Sequence, residues 1–250
     1  MVSQPTSRPS SKSCSRKSSK GTWYETIGRD PHLFAHFPPQ LIGFLAAVYF
    51  AAPDWIWRMP DYACGVSQPL NQYLAAGERA ACIMISLQLY ELTACIPSKR
   101  LRGNAYEMVG HHVVTLFLSF LAYYYNAFHY YAVMFLGIVE MSSVPLAFVD
   151  FFKHFPELRQ LYPTANELAR NLFAASFIAV RGLYWPWVSY CFWATTLAAR
   201  ADGTLRLETW IVYVFLFCNV VMTCLQWFWL SLILSAVAKM IKGDKSHKEA

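Results

Sequence analysis

MVGHHVVTLFLSF, Met108 to Phe120, sets two adjacent histidines, His111 and His112, inside an otherwise apolar run, with Thr115 three residues after the second. The composition around it says what kind of run this is. Of 250 residues, 56% are hydrophobic, 17% aromatic and only 14% charged. A soluble domain carries about a quarter charged residues. This deficit, with a positive mean hydropathy, points to a membrane protein rather than to one large soluble core. The net charge of +6 is no nucleic-acid footprint, because the basic residues lie in tails and a few loops. No nucleic-acid partner is expected. The seven cysteines are odd in number and form no CxxC pair. They read as small buried hydrophobes, neither a disulfide framework nor a metal site.

Working outward, a membrane helix needs roughly 20 mostly apolar residues. Six stretches qualify: about Leu33 to Trp57, Arg79 to Ile96, Tyr106 to Tyr125, His129 to Val149, Leu168 to Ala198, and Thr209 to Ala238. Pro38, Pro39 and Pro53 are expected to break the first, and Pro186 to kink the fifth. The fold class is therefore all-α, a polytopic transmembrane bundle of about six spans. Residues 1–30 form a basic, Ser-rich tail whose composition packs no core. Residues 33–238 form the membrane domain, and 239–250 a basic tail. The first segment has no apolar stretch of a secretory signal. It reads as a cytosolic tail or, alternatively, as an organelle transit peptide. With six spans, sixteen Lys and Arg fall on one side and four on the other, Arg181 lying within a span. The positive-inside rule then places both termini in the cytosol.

Ionisable groups inside spans cost about 2.5–3.5 kcal/mol each on insertion scales and usually face the bundle interior. Here they are Glu91, His111, His112, Glu140 and Arg181, with Asn126 and Asn171 near span ends. The topology aims polar groups of four spans at one layer, as a polar cavity open to the cytosol requires. Neighbouring helix residues lie about 100° apart, so at least one of the two rings faces inward. Glu107, His111 and Thr115 recur every four residues on one face. Glu107 either orients the ring or is a solvated interfacial acid. Glu140 and Arg181 are expected to pair across the fourth and fifth spans.

The segment His111 to Phe152, HHVVTLFLSFLAYYYNAFHYYAVMFLGIVEMSSVPLAFVDFF, resembles the TLC domain family, which includes the TRAM translocon-associated proteins, the ceramide synthases and the neuronal-ceroid-lipofuscinosis type proteins. The resemblance covers about Phe44 to Val237. The family's double His followed by Thr matches His111, His112 and Thr115; its later Asn matches Asn126, and an acidic residue in the preceding span matches Glu91. Ceramide synthases carry a His-Asp pair in the following span, where this chain has Ile138 and Val139 before Glu140. EMSSVPLAFVDFF and the fifth-span pattern Asn171…Arg181 instead look like TLC-domain proteins that are not synthases, with Glu140, Ser142 and Ser143 as the fourth-span signature.

The resemblance implies a multi-pass protein of the endoplasmic reticulum acting in membrane lipid homeostasis, binding or sensing lipid or acyl chains. Membrane lipids, and a second copy of the chain as a homodimer, are the implied partners, with no cofactor. The binding residues would be Glu91, Thr115, Asn126, Glu140, Ser143, Asn171 and Arg181. The alternative is an acyl-CoA-dependent N-acyltransferase of ceramide-synthase type. His111 or His112 would then be catalytic, as general base or nucleophile, and acyl-CoA a co-substrate. A transporter or trafficking adaptor fits the polar layer too, though the sequence carries no inverted repeat.

Overall fold

A computed structural model describes residue 28 and residues 31–58, 68–95 and 106–248. Within these the chain is helical: α1 (Pro31–Arg58), α2 (Ala75–Cys95), α3 (Tyr106–Tyr124), α4 (His129–His154), a short α5 (Pro156–Leu161), α6 (residues 163–201) and α7 (Thr209–Lys248). α2 packs between α1 and α3, α1 lies along α4, and α4 packs on α6. Phe34–Trp57, His129–His154 and Thr209–Lys239 are long and apolar enough to cross a membrane. α2, α3 and α6 carry polar and ionisable side chains within their length, among them Gln88, Glu91, His111, His112 and Arg181, and pack in the same bundle. Many large apolar residues, including Tyr49, Trp57, Leu183 and Phe217, point outward. Such a surface marks a helical membrane protein.

α1 runs unbroken through Pro38, Pro39 and Pro53, against the expected break. Packing with neighbouring helices lets membrane helices absorb the hydrogen bonds that proline removes. Near Pro186 a π-helical stretch, Ile178–Tyr184, ends immediately before Trp185 and Pro186 open the last segment of α6. α4 contains a π stretch, Val133–Gly137, followed by a 3₁₀ stretch, Ile138–Ser142. α7 runs as helix to Lys248, ten residues past the Ala238 at which the sixth apolar run ends. The tail at residues 1–27 and the basic loop Lys99 to Arg102 lie outside the described residues.

One half of the bundle is filled by aromatic packing. Phe128 sits edge-on to Phe192 and Phe215, both at 5.0 Å between centroids, and Trp55 donates to the Tyr184 hydroxyl at 2.9 Å. At this end His129 is fully buried and held from two sides. Its Nδ1 accepts from the Leu74 N–H at 3.3 Å, so its Nε2 donates to the Ala122 carbonyl at 3.1 Å. Asn71 clamps the α6–α7 loop, donating to the Thr204 carbonyl at 2.7 Å and accepting from the Arg206 N–H at 2.9 Å. A Cβ on Gly77 would clash with the backbone of His129, its carbonyl oxygen and Cα. Gly77→Ala is therefore expected to destabilise the protein by about 1–3 kcal/mol, since backbone has to move to admit the methyl. A thermal unfolding curve in detergent matching wild type would contradict this.

Two cysteines depart from the expectation of buried hydrophobes. Cys218 is buried, but Cys82 and Cys224 are exposed on the outer surface. In a bundle that turns its apolar side outward, a small apolar thiol suits either face. Cys14 and Cys64 lie outside the described residues.

Candidate functional site

The other half of the bundle holds a polar cavity of about 390 Å³. It is walled by the first turns of α1 and α3, the last turns of α2, the second half of α4, the middle of α6 and the later part of α7. Consecutive long helices alternate direction, so these stretches meet at one end. His111, His112, Glu91, Glu140, Ser143 and Arg181 all line it, in agreement with the single polar layer expected from the spans.

Arg181 is the best-satisfied group. Its Nε donates to Ser142 Oγ at 2.7 Å, Nη2 to Ser143 Oγ at 2.9 Å and Nη1 to Gln226 Oε1 at 3.4 Å. Nη2 lies 3.6 Å from the Glu140 carboxylate, and the guanidinium stands 5.7 Å from the Phe177 ring centroid. The expected pair across α4 and α6 is thus present. The local backbone explains its form. In a 3₁₀ turn residues three apart eclipse, which stacks Glu140 and Ser143 on one side, where one guanidinium nitrogen reaches both.

The two histidines are held differently. His112 Nδ1 is 2.6 Å from Gln88 Oε1. An amide oxygen only accepts, so Nδ1 carries the proton and Nε2 keeps its lone pair. The amide orientation is supported from behind, where Gln88 Nε2 donates to Met84 Sδ at 3.5 Å. His111 lies 5.5 Å from its neighbour's ring and stands T-shaped to Trp229 at 5.3 Å between centroids. Its buried Nδ1 has no hydrogen-bond partner among the described residues. Glu107 is exposed, which favours the solvated interfacial acid over the orienting carboxylate. Glu91 is buried and lies 3.6 Å from His36 Nε2, while His36 Nδ1 is 3.0 Å from the Tyr90 hydroxyl.

Three expected binding residues fall outside the cavity lining. Asn126 is exposed, with φ of 50°. It occupies a left-handed position in the tight α3–α4 turn, a conformation Asn tolerates better than most residues. Asn171 is exposed on α6, two turns or more from Arg181. Thr115 is buried on α3 beyond the cavity floor, its hydroxyl without a hydrogen-bond partner among the described residues. His36, Gln88 and Gln226 were not anticipated. Two are uncharged amides and one sits at the edge of a span, so the cost of burying charge did not flag them. Among the described residues, no group of three or more His, Cys, Asp or Glu could hold a metal ion.

A second space adjoins the cavity: an apolar groove of about 740 Å³ between α4 and α6, floored by α5. Tyr162 and Ser176 alone in its lining carry polar side-chain atoms, and the Ser176 hydroxyl is taken by the Leu172 and Phe173 carbonyls. Met141, Leu168 and Leu172 are exposed, so the groove opens sideways from the bundle. Phe37 and Phe151 belong to both linings.

The fold is that of a helical membrane bundle with a half-buried double histidine lining its polar cavity. The TLC domain family matches residues 40–235, and the chain belongs to that family. Ceramide synthase 1 of Homo sapiens is similar, at 28% identity over 146 residues. The match takes in 57% of this chain and 40% of the length of that relative. No solved structure matches the chain.

Proposed function

We propose that this protein acts in membrane lipid homeostasis, holding a lipid acyl chain in the groove and the lipid's polar end in the histidine cavity. The observation that carries the reading is the adjacency of the two spaces through Phe37 and Phe151. The groove lies within the range of about 300–1,000 Å³ of small-molecule sites, and its lining suits a chain of methylenes. The cavity beside it offers hydroxyl, imidazole and carboxylate groups to a headgroup. Membership of the TLC domain family supports a lipid-linked role. On this reading the domain is six-spanning, resides in the endoplasmic reticulum and keeps both termini in the cytosol, so the site opens to the cytosolic leaflet.

Comparing lipid profiles of membranes with and without the protein tests it. The expected outcome is a shift in acyl-chain composition that the variant His111→Ala/His112→Ala does not reproduce. Identical profiles would overturn the reading.

A second reading, an acyl-CoA-dependent N-acyltransferase, is favoured by the tautomer of His112 and by the similarity to ceramide synthase 1. With Nδ1 holding its proton on Gln88, Nε2 is the basic atom. It would take a proton from an amine as the nitrogen attacks the thioester carbonyl of acyl-CoA. The C–N bond forms, the C–S bond breaks, and the thiolate leaves with the proton returned from the imidazolium, giving amide and free thiol. The polar CoA would remain in water at the cavity mouth while the acyl chain lies in the groove.

A further inference from the structure

Phe37 stands between the groove and the cavity. It lies on the second turn of α1, and its ring meets Phe148 at 5.2 Å and Phe151 at 4.8 Å between centroids. The two sides of this contact are anchored unequally. Phe151 is wedged among Phe34, Phe37, Phe152 and Phe155, so its ring is a fixed post. The ring contacts of Phe37 are confined to Phe148 and Phe151 of α4 among the described residues. Its backbone is nonetheless held in place, because the preceding residue, His36, is stacked on Tyr90 at 5.3 Å and lies 3.6 Å from Glu91. A side chain on a pinned backbone, with one flank on the fixed post and the other facing two spaces, can open or close the passage by rotating about its own bonds.

We infer that Phe37 is the specificity-determining gate between the groove and the histidine cavity. Its ring decides whether the polar end of a lipid lying in the groove reaches His111, His112 and Arg181. The inference rests on the reading that the groove takes an acyl chain. A larger ring at this position narrows the passage and a methyl opens it, so the two substitutions push access in opposite directions. A merely structural role of Phe37 would move both variants the same way.

The test uses the full chain in phosphatidylcholine vesicles and two photoactivatable palmitic acids, one with its diazirine near the carboxyl end and one with it at the tail. In wild type the tail probe is expected to label residues 141–176 and the head probe to label residues 88–91 and 108–112. Phe37→Trp should cut head-probe labelling of residues 88–91 and 108–112 by about fivefold, equivalent to about 1 kcal/mol of overpacking, with tail labelling retained. Phe37→Ala should raise it. Head-probe labelling unchanged in both variants overturns the gate while leaving the groove reading intact. Absence of tail labelling in wild type overturns the groove reading itself, and the gate with it. Thermal unfolding of each variant in detergent separates misfolding from gating. Should Phe37→Ala not fold, the decrease in Phe37→Trp against retained tail labelling still decides the matter.

Discussion

Glu140→Gln is expected to lower the stability of the protein by about 3 kcal/mol, because it leaves Arg181 charged and buried without its carboxylate. The loss sits at the lower end for a stranded buried charge, since Ser142, Ser143 and Gln226 still accept from the guanidinium. Arg181→Met should cost at least as much. It removes the donor that Ser142, Ser143 and Gln226 share and leaves the Glu140 carboxylate facing hydroxyls across a void. The double variant Glu140→Gln/Arg181→Met should then be less damaged than the sum of the singles, with a coupling of about 1–3 kcal/mol. Thermal unfolding of the four proteins in detergent measures this. Strictly additive losses would refute the pair as an energetic unit despite the 3.6 Å separation.

The second large effect concerns His112. On the acyltransferase reading, His112→Ala should reduce acyl-CoA-dependent amide formation by about 10²–10⁴-fold, the usual worth of a positioned general base. Gln88→Leu should reduce it by a smaller factor, because the ring remains but no longer has its Nδ1 proton held. Gln88→Glu should restore much of the loss, since a carboxylate oxygen accepts from the same nitrogen. That rescue distinguishes a positioning role from packing, and steady-state rates of purified, folded variants report it. Unaltered turnover in the double variant His111→Ala/His112→Ala would exclude the pair from catalysis. No turnover by wild type with any acyl-CoA would remove the enzymatic reading and leave lipid binding.

Much of the architecture was legible because membrane insertion imposes crude and strong constraints on a chain. Long apolar runs, a cost of kilocalories for each buried charge and few acids within spans suffice to locate the helices. Their bounds differ from expectation by a few residues, apart from the longer reach of α4, α6 and α7. The same cost of burying charge singled out Glu91, His111, His112, Glu140 and Arg181, and all five line one cavity. It also made the Glu140–Arg181 pair predictable, since helix rise alone brings their depths together. The prolines of α1 were misread, because the penalty for proline is set by whether neighbouring groups take up the freed carbonyls, and periodicity does not carry that.

A linear reading reaches the class of this protein: an all-helical membrane chain with a double histidine in a polar layer. Which polar groups meet follows from how the helices pack. Gln88, His36 and Gln226 pay no obvious penalty in a linear reading, yet each occupies a hydrogen-bonding position beside a histidine, a carboxylate or a guanidinium. Asn126, which a linear motif sets beside the histidines, went instead to a left-handed turn. The 3₁₀ and π stretches of α4 and α6 rotate side chains away from the face that a regular helix would assign them. The groove beside the cavity exists only because α4, α5 and α6 are packed as they are. Hydropathy is a sum over neighbours in the chain, whereas a site is a set of directions in space, and those are fixed by how the helices pack.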